Sequence, residues 1–445
     1  METPVILNLW QKHGDLFTLK MFGHPLIVVC GSQTLHEVLV KNEEHTFEHP
    51  DHYVNKEFFE RSGILGAFGE IWRMQRIFAI AMLKSIDSGS SNLESRVLTE
   101  VEEFITQAEK FGGQSFKIND LVNIYHYNIV SSLIFGKRFK HGDATLKRLI
   151  ELISEAVTNT AHQAPTSVLP CLRFLPGDKF KVKRHRHVVD GILDIMQKAV
   201  DEHKKIPEEP NSTDIIYSFF KEQERRKQNN EDLVGFTDRD LLIMGYGLLF
   251  GGLGAPHTLQ WSVLYLMHYP EVVSRMQKEI EENIENDRFP NMEDKPRLPF
   301  CQAVGWEVLR IASVVYVAPS HASSSDLTIN GYTIPKGAYL LPALCSVNMD
   351  PTIFKEPNTF NPSRFINEDG QLFGFENVKT SFSLGPRNCL GQWLAEMEIF
   401  LFITTIVQKF DIENEADTPV PSLEGIYKGI HVTGPYNVFL KKRVQ

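Results

Sequence analysis

Between Thr237 and Pro270 the chain runs for three turns and more without a lysine, arginine or acid beyond Asp240, in the order DRDLLIMGYGLLFGGLGAPHTLQWSVLYLMHY. Thr237 followed three residues later by Asp240 is a helix-start signature, and Pro270 is a stop. Read as one helix reaching His268, the stretch spans about 47 Å at ~1.5 Å per residue, enough to cross a whole domain. Its middle is spoiled for a helix, because Gly251, Gly252, Gly254 and Pro256 fall close together. Each interior glycine costs roughly 1 kcal/mol against alanine, and proline lacks the amide hydrogen a helix needs. A backbone kept thin at that expense points to something that must approach it closely.

The 445 residues, 42% of them hydrophobic and 23% charged, contain no low-complexity linker or internal repeat. One large domain spanning 1–445 is expected, rather than several small ones. The polar stretches at 201–214 and 221–232 read as surface excursions between helices. A net charge of −10 argues against a nucleic-acid partner, which requires a positive field. Locally, KFKVKRHRH at 179–187 follows the apolar SVLPCLRFLPG, and is either a solvated helix start or a patch that touches a membrane surface. The segment METPVILNLWQKHGDLF has no run of about 20 apolar residues, so no transmembrane anchor is expected in this chain, and a cytoplasmic or peripheral membrane protein follows. The cysteines Cys30, Cys171, Cys301, Cys345 and Cys389 form no C-x-x-C pair, which disfavours a zinc ribbon or a disulfide scaffold and fits a reducing compartment.

Secondary-structure signals divide unevenly. LFTLKMFGHPLIVVCG reads as two β-rich runs about a Gly-His-Pro turn, and SDLTINGYTIPKGAYLLP as further strands. Amphipathic helical spacing covers 92–111, 145–159, 188–204 and 214–227. The expected class is mainly α with small β-sheets.

The chemistry gathers in SFSLGPRNCLGQWLAEMEIF. Cys389 sits in a glycine-rich, arginine-containing loop ahead of a helix, where amides and a cation favour the thiolate and a metal. A buried structural cysteine is the competing interpretation.

FSLGPRNCLG resembles the cysteine loop of the cytochrome P450 superfamily, F-x-x-G-x-x-x-C-x-G, with Phe382, Gly385, Cys389 and Gly391 in place and Arg387 at the basic position. WEVLR is similar to that superfamily's E-x-x-R helix through Glu307 and Arg310, FNPSRF supplies Arg364, and WRMQR matches W-x-x-x-R through Trp72 and Arg76. His321 in APSHASSSD falls where members place a propionate-binding His or Arg. The resemblance runs from roughly residue 10 to the C-terminus and is nearest to the animal microsomal branch. It implies the cytochrome P450 fold, with heme b between the long helix and the cysteine loop. Cys389 would be the axial iron ligand, with Trp72, Arg76, His321, Phe382 and Arg387 around the cofactor and Glu307, Arg310 and Arg364 holding the proximal scaffold.

The same resemblance marks a departure. Members carry [AG]-G-x-[DE]-[TS] where the long helix crosses the heme, the acid and hydroxyl relaying protons to dioxygen. Here those positions fall on Leu253 and Gly254, or, one residue along, on Gly254 and Ala255, with Thr258 the nearest hydroxyl. Loss of general acid assistance, typically worth a factor of about 10² to 10⁴, disfavours dioxygen activation. A substrate bringing its own O–O bond needs no relay, since a thiolate favours its cleavage. The FGG at 250–252 resembles the hydroperoxide-converting clan of allene oxide synthases, hydroperoxide lyases and epoxyalcohol synthases. The expected activity is therefore isomerisation of polyunsaturated fatty-acid hydroperoxides, foremost as an epoxyalcohol synthase, without reductase, with Phe250, Gly251, Gly252 and Leu253 shaping the step. The alternatives are an NADPH- and reductase-dependent monooxygenase of lipophilic substrates and a heme-based sensor. Close helix packing is the non-catalytic explanation for the glycines.

Overall fold

A computed structural model describes residues 5–87, 92–205, 214–285, 287–415 and 417–443. Its core is a bundle of four helices, Leu93–Glu109, Ile118–Phe135, Gly254–His268 and Gln392–Lys409, packed against one another. Two of these are apolar all round. Tyr125 through Phe135 and Met397 through Gln408 are buried without interruption, as expected of helices with neighbours on every face. Phe402 locks the bundle, its ring lying 4.9 Å from Phe104 and 5.2 Å from Tyr125.

The long apolar run forms two helices, not one. Thr237 accepts from the Asp240 amide and Asp240 accepts from the Thr237 amide, a reciprocal cap that starts Asp238–Gly251. After Gly251 the ladder tightens. Leu253 donates to the Phe250 carbonyl at 3.4 Å and Ala255 to Gly252 at 3.3 Å, both three residues back. The second helix, Gly254–His268, then begins with Pro256 in its first turn, where a missing amide hydrogen costs nothing. The unbroken 47 Å rod expected from the pattern is thus replaced by a break centred on Gly252 and Leu253.

Helices Ala144–Val168 and Val182–His203 pack as a pair, the second against Asp238–Gly251. The approach is close, since a Cβ on Gly245 would stand 2.1 Å from the Met196 methyl. The polar run 221–232 is corrected by the structure: its first eight residues complete the helix Ile215–Gln228, with Glu222 paired to Arg225 and Arg226 at one-turn spacing. Of the run 201–214, residues 206–213 lie outside those described. The basic stretch starts a helix at Val182, and Arg184 and Arg186 pair with Glu155 and Glu57. Just ahead of it Phe174 and Leu175 are exposed. Among the described residues no helix is long and apolar enough to cross a membrane.

A four-stranded sheet has the order Leu16–Met21, His24–Val29, Tyr339–Pro342, His321–Ala322, with the middle pair parallel. The first hairpin turns at Phe22 and Gly23, both at positive φ, and His24 and Pro25 are already paired in the strand. The expected Gly-His-Pro turn is therefore displaced toward the N-terminus, to the dipeptide that can take the left-handed conformation a two-residue hairpin requires. Leu327–Ile329 and Tyr332–Ile334 form a second hairpin, and Asn437–Lys442 joins Phe116–Lys117 to Phe410–Glu413.

Thr237→Ala removes one side of the reciprocal cap and is expected to cost about 1 kcal/mol in unfolding free energy, read as a lower urea midpoint.

Candidate functional site

The cysteine loop is a tight structure held by backbone geometry. Cys389 donates its amide hydrogen to the Phe382 carbonyl at 2.8 Å, and Asn388 donates to Gly385 at 3.1 Å. Gly385 has φ +72°, and a Cβ there would sit 2.0 Å from the Leu39 carbonyl oxygen. Only glycine satisfies both demands. The helix Gln392–Lys409 follows directly, its first turn closed by Ala395 donating to Gly391.

Cys389 is crowded by protein atoms yet its side chain is exposed, as befits a group on the wall of a space. Burial pushes its thiol up, while the Gly391 amide and Arg76 pull it down. The sequence led us to expect a favoured thiolate. The two predicted influences are present, but desolvation outweighs them.

Three sequence-predicted cofactor residues meet beside this loop. Arg76, on the helix Gly69–Asp87, donates to the Asn388 carbonyl at 2.9 Å and to its side-chain oxygen at 2.6 Å. The Arg387 guanidinium lies 4.0 Å over the Trp72 ring. It donates to the carbonyls of Phe47 at 3.1 Å, Ile64 at 3.3 Å and Ala67 at 2.9 Å, and to Glu48 at 3.4 Å. Burial brings Arg387 down to about 9, Glu48 opposing and Arg76 adding to the fall. Two arginines and one carboxylate leave this corner electropositive.

His321 joins them from the sheet. Its Nδ1 bonds the Thr46 carbonyl at 2.6 Å, and burial, with Arg387 adding to it, lowers it to about 4. Burial thus favours the uncharged imidazole at the position where the resemblance implies a propionate contact. His49, which no sequence motif flagged, packs 5.3 Å from it and donates from Nδ1 to the Ser320 carbonyl at 2.8 Å, also held well below its ordinary range by burial first and Arg387 second.

The residues present fit a flat, dianionic ring. The buried Trp72 indole nitrogen finds no hydrogen-bond partner among the described residues, next to two arginines. Cβ atoms on Gly391, on the cysteine side, and on Gly251 and Gly254, at the helix break, would meet nothing within 4 Å. Such a cradle, with an orphan donor at its charged corner and a thiol on its wall, matches heme.

Glu307 and Arg310 are both fully buried and joined by two bonds of 2.7 and 2.8 Å. Glu307 also accepts from the Asn361 amide at 2.8 Å and from Arg364 at 3.2 Å. Arg310 donates to the carbonyls of Asn348 and Pro357, each at 2.8 Å. The Asn348 amide in turn donates to Ser381 at 3.0 Å, the residue before Phe382. The three scaffold residues are therefore brought together and tied to the cysteine loop.

At the break, Leu253 is buried, Phe250 is partly buried, and Gly251 is exposed. No acid or hydroxyl side chain stands at Leu253 or Gly254, and the Thr258 hydroxyl donates back to the Gly254 carbonyl at 3.0 Å.

Two predictions follow from this geometry. Arg310→Ala leaves Glu307 charged and buried, a change worth about 3–5 kcal/mol, and should yield protein that fails to retain heme on gel filtration. His321, His185 and His257 all lie near 4 through burial, against 6.5 unfolded. The unfolded chain then holds more protons below 6.5, so their contribution to stability is complete above that pH and is lost as pH falls toward 4. Denaturant midpoints should drop through this window, and His321→Gln should make the slope shallower.

The chain matches the Cytochrome P450 family over residues 4–440. It is 32% identical to "Cytochrome P450 2D28" of Mesocricetus auratus over 442 residues, covering 97% of this chain and 87% of that protein. It is 30% identical to "Vitamin D(3) 25-hydroxylase" of Sus scrofa over 442 residues, with the same coverage, and 31% identical to "Cytochrome P450 2U1" of Bos taurus over 445 residues, 99% of this chain and 81% of that one. With its cysteine loop and buried Glu-Arg pair, the chain belongs to the cytochrome P450 family and is a heme-thiolate enzyme.

Proposed function

We propose that this enzyme is a reductase-dependent monooxygenase of lipophilic small molecules. The observation that carries this reading is its end-to-end similarity to proteins that include a named hydroxylase of a lipophile. Hydroperoxide isomerisation, the activity expected first from the sequence, finds no counterpart in the names of these relatives.

Heme, when bound, supplies the redox chemistry of dioxygen. The protein's own residues do the rest. Cys389 offers the sulfur ligand, held in register by its amide bond to the Phe382 carbonyl, and the Phe382 side chain packs against the core. The Trp72 indole N–H and the Arg76 and Arg387 guanidinium groups offer donors to the propionates, bonds strengthened by charge. His321, neutral, borders the same corner. Phe250, Gly251, Gly252 and Leu253 form a thin, apolar stretch at the helix break that lets a lipophilic substrate come near.

A second reading is favoured by one specific observation, the absence of an acid and a free hydroxyl at Leu253, Gly254 and Thr258. It retains an epoxyalcohol synthase acting on fatty-acid hydroperoxides without reductase. The two separate cleanly. Purified enzyme with NADPH, reductase and lipophilic substrates in air should form oxygenated product. The same protein given a fatty-acid hydroperoxide without oxygen or NADPH should be slow. Rapid hydroperoxide turnover together with no NADPH-driven product would overturn the monooxygenase assignment. Cys389→Ser should abolish either activity, and Leu253→Asp with Gly254→Thr should raise product per NADPH, within the factor of roughly 10² to 10⁴ available to general acids.

A further inference from the structure

Away from the heme corner, the helices Leu93–Glu109 and Ile118–Phe135 leave between them a cleft of about 450 Å³, bounded on its third side by the loop that carries Arg138 to His141. That volume lies in the range that small-molecule sites occupy. Each helix turns one face to it, with Glu100, Phe104 and Gln107 on the first and Leu121, Tyr125 and Asn128 on the second, all at one- and two-turn spacing. The loop is kept from closing over the space by two buried polar anchors. Asn128, 2% exposed, donates to the Phe139 carbonyl at 3.0 Å and accepts from the Phe139 amide at 2.9 Å. Arg138 donates from Nε to Glu100, itself 3% exposed.

The polar groups of this wall are unevenly satisfied. Its acceptors are engaged: Glu100 by Arg138, Glu103 by Gln107 at 2.5 Å, and the Asn128 side-chain oxygen by the loop. Its donors are in surplus. Arg138 spends only Nε, and its two terminal nitrogens, with the side chains of Lys140 and His141, have no hydrogen-bond or ion-pair partner among the described residues. The charges of Glu100 and Glu103 balance those of Arg138 and Lys140, so what the cleft selects is decided by the atoms left unbonded, and those are N–H groups. Beneath them Phe104, Leu121 and the Tyr125 ring form a buried apolar floor, with Ile124 and Phe139 half-buried beside it.

We propose that this cleft is a second ligand site, separate from the heme chamber, for a carboxylate-bearing amphiphile of the size of a medium-chain fatty acid. The apolar body lies on Phe104, Leu121 and the Tyr125 ring, and the carboxylate accepts from Arg138, Lys140 and His141. Bonds of this kind are strengthened by charge, and a guanidinium offers a carboxylate two parallel donors. An ammonium on the same apolar body supplies no acceptor, and an alcohol supplies a neutral one. The floor is also the outer face of the helical core, since the Phe104 and Tyr125 rings pack on Phe402 of the helix that follows the cysteine loop. A ligand held there binds the folded enzyme and not the unfolded chain, so it raises stability by mass action. The site makes no use of heme or reductase, and stands whichever reaction the heme performs.

The test titrates heme-loaded enzyme with decanoate, decanol and decylamine. Methyl NMR of isoleucine-labelled protein reads the cleft at Ile124, and heme absorption reads the distal chamber. Decanoate should shift the Ile124 signal saturably and raise the melting temperature. Decylamine should bind there roughly tenfold or more weakly, and Lys140→Glu should weaken decanoate by a similar factor, as the loss of one hydrogen bond to a charged group implies. Lys140→Arg should keep the affinity, and neither variant should alter the heme spectrum or its response to lipophilic substrates. Lys140 is exposed, so both variants are expected to fold. Decanoate that moves the heme absorption while leaving Ile124 unshifted overturns the proposal, as does decylamine binding as tightly as decanoate, or binding at Ile124 indifferent to Lys140→Glu.

Discussion

The cofactor side of this enzyme depends on one buried ion pair. Glu307 and Arg310 are wholly withdrawn from water, and a pair of that kind is tolerated only if its remaining donors and acceptors are also satisfied. Here they are satisfied by backbone from elsewhere in the chain: the Asn361 amide and the Asn348, Pro357 and Thr359 carbonyls. The pair consequently dictates the path of residues 348–364. Through Asn348 and Ser381 it also dictates where the cysteine loop begins. Apolar packing at the same place would fill space without fixing direction.

The two walls of the heme space follow different rules. On the cysteine side, position is set by hydrogen bonds and by a glycine, Gly385, that nothing else can replace against the Leu39 carbonyl. On the opposite side, position is set by leaving things out. Gly251 and Gly254 keep that wall clear, while Gly252 makes room for an imidazole on its far face. The glycines that spoil the helix thus answer to two neighbours, a ring on one side and His126 on the other. Charge is distributed in the same complementary way, with Arg76 and Arg387 beside Trp72 at one corner and a buried carboxylate, Glu398, bonded to His126 behind the break.

Much of this was legible in the sequence because the relevant contacts are local. Glu307 and Arg310 are one turn apart, Trp72 and Arg76 likewise, and the cysteine loop is a contiguous string. The amphipathic helices were legible through their period. What escaped had a physical cause in each case. Ile118–Phe135 and the body of Gln392–Lys409 are buried on every face, so they carry no polar stripe to reveal a period. The charged run ending at Gln228 looked like a loop because its i, i+3 and i, i+4 pairs are a property of the helix and not of composition. Thr237 announced a helix but not that it would break, since tolerance for an interrupted ladder is set by tertiary neighbours. His49, Glu48, His126 and Glu398 meet their partners only through long-range packing, and the lowered basicity of His321 and the raised thiol of Cys389 are consequences of burial that residue type does not disclose.

The central claim is that the buried Glu307–Arg310 network, and not the heme, places the cysteine loop. Hydrogen exchange at the Cys389 amide, which bonds the Phe382 carbonyl at 2.8 Å, measures this most directly when heme-free and heme-loaded protein are compared. The account predicts strong protection in both. An amide that exchanges freely until heme is added would contradict it.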